Sequence, residues 1–222
     1  MLLRQKRDEV PKGTLSCPDR IMEFFYQLRH YEGSHLLLSV CGQKLIQQTL
    51  IRWHGPFHSR QELKEWELEY SGNCSLYLIK GKKTHKQKYS IYCGMTFKQM
   101  VCGRFSNHNH HIREIENREN ELEIWAGTFV NATGRLNKEE VSLCENLLIH
   151  TLNYISAKEN LDFINDKSYL APVVPVSIIN EWYYAHDTSA LVKRRLPGSI
   201  PSVMPDVTHF NGEELLWSDR LK

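Results

Sequence analysis

The chain has 222 residues, 41% of them hydrophobic and 24% charged, which is ordinary for a globular protein and sufficient for one large domain or a smaller one with additions. Its net charge of +2 is too close to neutrality to argue for a nucleic-acid partner by itself. No run approaches the roughly 18 consecutive apolar residues of a membrane span, and the basic residues of 1–8 have no apolar stretch behind them. Neither a membrane partner nor a secretory leader is therefore expected. The cysteines (Cys17, Cys41, Cys74, Cys93, Cys102, Cys144) never share a CxxC spacing, which argues against a zinc ribbon. A reducing cytoplasm is the expected compartment.

In chain order, residues 1–17 form a polar arm. Ile21, Phe24, Phe25, Leu28 and Tyr31 then fall on one helical face. A second apolar stretch, 36–53, has Leu45, Ile46, Thr49 and Leu50 at helical spacing and stops at Gly55-Pro56. A charged helix is expected over 60–70, so residues 1–70 read as a helical extension.

The texture changes at Ser71-Gly72-Asn73. Strands are expected over 74–79 and 89–93, joined by a basic turn containing Lys80, Lys82, Lys83, His85, Lys86 and Lys88. Residues 96–120 read as mostly helical, with Phe97, Met100, Val101, Phe105, Ile112 and Ile115 inward, and 121–130 as a third strand. Asn137 with Glu140 makes a capping box for a helix whose buried stripe is Val141, Cys144, Leu148, Thr151 or Leu152, and Ile155. From 166 onward prolines interrupt the chain; a helix is expected over 177–185 and a terminal strand over 214–218. Trp182, Tyr183, Tyr184, Phe210 and Trp217 would be costly to expose, so this appendage should be ordered though irregular. The expected fold is thus α+β: a small three-stranded antiparallel sheet flanked by helices over 71–165, with a helical extension at 1–70 and an irregular appendage at 166–222.

Chemistry-bearing residues concentrate in the middle segment. Ser75-Leu76-Tyr77 lies on the first strand, and Tyr92-Cys93-Gly94 ends the second. Arg104 follows, with His108 one helical turn later on the same face. Glu145 sits in the capped helix, and Asn153, Asn160 and Asn165 follow it. This ordered set resembles the GIY-YIG nuclease superfamily over residues 72–165, although Ser75-Leu76 replaces the first motif's Gly-Ile and Cys93 the second motif's central Ile.

The resemblance implies a role for each residue. Tyr77 is the general base or orients the attacking water, and Tyr92 hydrogen-bonds the scissile phosphate. Arg104 stabilises the phosphorane charge, and His108 contacts phosphate or assists proton transfer. Glu145 binds one Mg²⁺ or Mn²⁺, Gly94 lets the backbone turn tightly, and Asn160, or else Asn153 or Asn165, supplies the family's asparagine. It further implies hydrolysis of double-stranded DNA by a homodimer, as in the type II restriction enzymes of that superfamily. Mobile-element or repair nucleases, and a non-catalytic DNA-binding protein on the same fold, are the alternatives. Lys80, Lys82, Lys83, Lys86, Lys88, Arg194 and Arg195 (which follow Lys193) suit DNA phosphate contacts. His108 and His111 have a spacing that suits a transition metal, but no cysteine or carboxylate completes a zinc site.

Overall fold

Residues 47–57 alternate β-branched and aromatic positions (Thr49, Ile51, Trp53) with Leu50, Arg52 and His54, and side chains of period two belong to a strand. In the computed structural model they form β1 (Gln47–Phe57), not the end of a helix. The structure describes residues 47–70, 73–82, 87–106, 112–115, 121–130, 137–165, 172, 174–191, 198–210, 212–213 and 215–218. The helix expected near residues 21–31 lies outside them.

After β1 come α1 (Arg60–Glu69), β2 (Cys74–Lys82), β3 (Tyr89–Met95), α2 (Val101–Phe105), α3 (Ile112–Ile115), β4 (Glu123–Val130) and α4 (Lys138–Lys158). The remainder is β5 (Asp162–Phe163), β6 (Val176–Tyr184), β7 (Asp187–Leu191), α5 (Ile200–Val203), β8 (Val207–Phe210) and β9 (Leu215–Ser218). The nine strands among the described residues join one mixed sheet in the order β5-β3-β2-β4-β1-β6-β8-β9, with β7 paired to β6. This corrects the expected small three-stranded sheet. The antiparallel trio β3-β2-β4 does form, but as one part of a larger sheet.

The described parts of the expected helical extension and irregular appendage contribute strands too, while the charged helix expected over 60–70 forms as α1. β1 pairs antiparallel with β4 and parallel with β6. Residues 177–185, expected as a helix, fall mostly within β6. Both misreadings have one cause: strands buried on both faces read as continuous apolar runs, which periodicity alone does not separate from buried helices.

Each face of the sheet carries its own core. On one, α4 lays Val141, Cys144, Leu147, Leu148 and Leu152 against Ile51, Trp53, Leu78, Ile91, Cys93, Trp125 and Trp182. The capping box starts this helix as expected: Asn137 accepts from the Glu140 amide and Glu140 from the Asn137 amide. On the other face, Leu63 of α1, Val101 and Phe105 of α2, and Ile112 and Ile115 of α3 cover Phe57, Tyr77, Ile79, Ile124 and Ala126. No helix among the described residues is long and apolar enough to cross a membrane.

Three tryptophans join the two halves of the sheet. Trp53 stacks on Trp182 with ring centroids 5.5 Å apart, and Trp125 meets Trp182 edge-on at 5.1 Å. Trp53 Nε1 donates to Asn180 Oδ1 at 2.8 Å. Gly127 lies opposite Trp53, where an added Cβ would come within 2.8 Å of the indole. Gly127→Ala should therefore lose about 1–3 kcal/mol by overpacking. Gly103→Ala, a helical site with nothing within 4 Å of the new methyl, should be neutral or gain about 0.5–1 kcal/mol. Urea denaturation of both variants checks the contrast.

On the face with α1, His54 is enclosed by Trp66, Tyr70 and Tyr183, with ring centroids 5.1, 5.0 and 5.9 Å away. Burial, then the charge of Arg52, hold its pKa down to about 4. Its neutral form is the one the fold accommodates. The unfolded chain takes up a proton first, near pH 6.5, so stability is complete above that value and declines as pH falls toward 4. The predicted loss is on the order of 3 kcal/mol, read as the urea midpoint at neutral and acid pH, and a His54→Phe variant should show a smaller drop.

Candidate active site

The β2–β3 hairpin sets the site. Tyr77 pairs with Gly94 across it, and Tyr92 with Ile79, so both tyrosines project from the face covered by α2. Tyr77 is only 1% exposed. Its ring stacks against Tyr92 at 6.0 Å and meets Phe105 edge-on at 5.1 Å. An added Cβ on Gly94 would lie 2.4 Å from the Tyr77 ring and hydroxyl. The glycine is needed because a tyrosine lies directly over its backbone, a reason other than the tight turn inferred from sequence.

The chain from β3 to α2 is held at several points. Thr96 N donates to Ser75 O at 2.9 Å, and Thr96 Oγ1 to Gln99 O at 3.0 Å. Lys98 takes a left-handed conformation with φ of 59°, and α2 begins at Val101. The exposed Arg104 lies close enough to the hairpin for its guanidinium to act on the Tyr77 phenol, and Tyr77 and Tyr92 act on one another.

Burial dominates the ionisation of both tyrosines. It raises Tyr77 well above the ordinary phenol range, and Tyr92 adds to the rise, while Arg104 opposes it. Tyr92 is raised by burial, then by Cys93 and by the negative charge of Glu145, against Tyr77 and Arg104. Tyr77 therefore holds its proton at neutral pH, and as it stands its chemistry is hydrogen-bond donation rather than base catalysis.

Glu145, half-buried on α4, belongs to the same neighbourhood, since its charge reaches both Tyr92 and Cys93. The outer edge of β3 is covered in two ways. β5 pairs with β3 only at Ser90 and Ile91. Beyond that, the Asn165 side chain substitutes for a strand, accepting from Cys93 N at 2.9 Å and donating to Cys93 O. Of the sequence-nominated residues, Tyr77, Tyr92 and Arg104 are neighbours on one face, and Glu145, on the helix of the other face, acts on Tyr92 through its charge.

Others are placed elsewhere. Asn160 is exposed at a φ of 57°, just past the end of α4, in the left-handed position that terminates helices. Asn153 lies within α4. Of the three candidate asparagines, Asn165 is the one bonded beside Tyr92 and Gly94, and its position after a two-residue strand carried no local signal. Lys80 is buried, hydrogen-bonded to Gly198 O and 3.8 Å from Glu123, which also accepts from Ile200 N at 2.8 Å. Its charge anchors the C-terminal segment to the sheet. Lys82 pairs with Glu121 at 3.1 Å, and Lys88 is exposed. His108, His111, Lys83, Lys86, Lys193, Arg194 and Arg195 lie outside the described residues.

Among the described residues no three His, Cys, Asp or Glu side chains converge. A donor set of one carboxylate, Glu145, fits a hard divalent ion that completes its shell with water and phosphate oxygens. No protein-family model matches the chain, and no curated protein or solved structure matches it at significance.

Gly94→Ala forces the Tyr77 ring aside and should cost about 1–3 kcal/mol. In an alkaline titration near pH 10.5, the wild-type minus Tyr77→Phe difference spectrum should show no phenolate. The same difference on the Gly94→Ala background should show one.

Proposed function

We propose that this chain is a divalent-metal-dependent endonuclease that hydrolyses phosphodiester bonds of double-stranded DNA. The observation that supports it is the grouping of Arg104, Tyr77 and Tyr92 on one face of the hairpin, with Glu145 near enough for its charge to act on Tyr92. Phosphoryl chemistry is mostly positioning and charge stabilisation. Arg104 is exposed and cationic beside two phenols, a set of donors suited to phosphate oxygens. Tyr77, buried and protonated, orients the attacking water or Arg104 and does not remove a proton. Tyr92 hydrogen-bonds the scissile phosphate. The base is then His108 or solvent.

Glu145 would hold Mg²⁺ or Mn²⁺, which when bound supplies Lewis-acid stabilisation of the phosphate charge. Cutting both strands with one such centre per chain calls for two copies related by a twofold axis, hence a homodimer of the restriction-enzyme kind. Lys80 and Lys82 are engaged by Glu123 and Glu121, so phosphate contact falls to Lys88 and to Lys83, Lys86, Arg194 and Arg195. A second reading, a DNA-binding protein that does not cleave, draws on the burial of Tyr77.

Plasmid DNA incubated with Mg²⁺ or Mn²⁺ separates the two. Wild-type protein should give discrete fragments, and Glu145→Gln and Arg104→Ala should each slow cleavage by about 10²–10³-fold. DNA binding without cleavage in either metal selects the second reading.

A further inference from the structure

α2 carries Arg104 but has no cap of its own. It is five residues long, and the residue before it, Met100, makes no side-chain cap. A helix this short leaves its leading amides without intrahelical acceptors, and uncapped it is marginal in water. Those amides are satisfied from another element. Glu67, near the end of α1, accepts from Val101 N at 2.7 Å with one carboxylate oxygen and from Cys102 N at 2.8 Å with the other. The carboxylate thus spans the first turn, where a negative charge complements the helix dipole.

The other constraints on α2 do not substitute for this one. The Thr96 bonds and left-handed Lys98 fix the loop that leads into the helix, and Val101 and Phe105 bury its inner side. Arg104 itself is exposed, so its direction toward Tyr77 is set by where the helix begins and how it is rotated. We infer that Glu67 is a positioning residue for Arg104: it fixes the start of α2 from α1 and so aims the guanidinium at the Tyr77–Tyr92 pair. It touches neither substrate nor metal. The kinetic part of this inference rests on the nuclease reading above, whereas the structural part does not.

The test uses the full chain with Glu67→Ala and Glu67→Gln, alone and combined with Arg104→Ala, and Glu65→Ala on the same helix as control. The first readout is solvent exchange of the Arg104 side-chain Nε–H by NMR. Exchange should quicken in Glu67→Ala, less so in Glu67→Gln, which keeps one acceptor oxygen, and stay unchanged in Glu65→Ala. The second readout is plasmid cleavage with Mg²⁺. Glu67→Ala should lower kcat about ten- to a hundredfold with KM little changed, and add nothing in the Arg104→Ala background. Unchanged Arg104 exchange overturns the inference, as does a further loss of rate in the double variant. If the wild type does not cleave at all, the nuclease reading fails, and the exchange measurement alone decides the role of Glu67.

Discussion

The Trp53 indole occupies the space that a side chain at position 127 would need, and its other face stacks on Trp182 of the next strand. That contact fixes β1 between β4 and β6, and the strand has to satisfy both neighbours at once, antiparallel on one side and parallel on the other. A slip of one residue would turn Trp53 and Ile51 to the opposite face and bring His54 and Arg52 into the tryptophan core. The hairpin with the tyrosines is attached on the β4 side, and the C-terminal strands on the β6 side. Both halves therefore take their register from the same tryptophan contact. Lys80 and Glu123 add a polar tie between the hairpin region and the segment around Ile200.

A second close approach, Tyr77 over Gly94, organises the candidate site. Burial makes the Tyr77 phenol hard to ionise, while Arg104 pulls in the other direction. The balance leaves a protonated tyrosine beside a guanidinium and a second tyrosine. Such an arrangement orients hydrogen bonds toward an anion, and proton removal is the step it is least suited to. Glu145, on the helix of the opposite face, is within electrostatic range of Tyr92.

The elements legible in the sequence were those specified by local chemistry. Asn137 and Glu140 announced α4, and its apolar stripe named its buried residues. The alternating hairpin strands and β4 were equally plain. β1 and β6 were not, because a central strand is apolar on both faces and its partners lie far away in the chain. Tyr77, Tyr92, Arg104 and Glu145 could be nominated from their order; the first three are neighbours on one face, and Glu145 reaches Tyr92 by charge from the helix of the other. The lysines were legible as charge, but not as charge already engaged by Glu121 and Glu123. Glu67 gave no signal at all, since its partners are backbone amides of another helix and backbone amides carry no sequence mark.

Whether the four clustered residues act as one unit on one phosphate is the central question, and a double-mutant comparison addresses it most directly. Strand cleavage of double-stranded DNA in Mg²⁺ is measured for Tyr92→Phe, Arg104→Ala and the pair combined. Residues that act together on one transition state are strongly non-additive. The account predicts that the combined variant cleaves no more slowly than Arg104→Ala alone. Losses that multiply, or a wild-type protein that leaves DNA uncut, would contradict it.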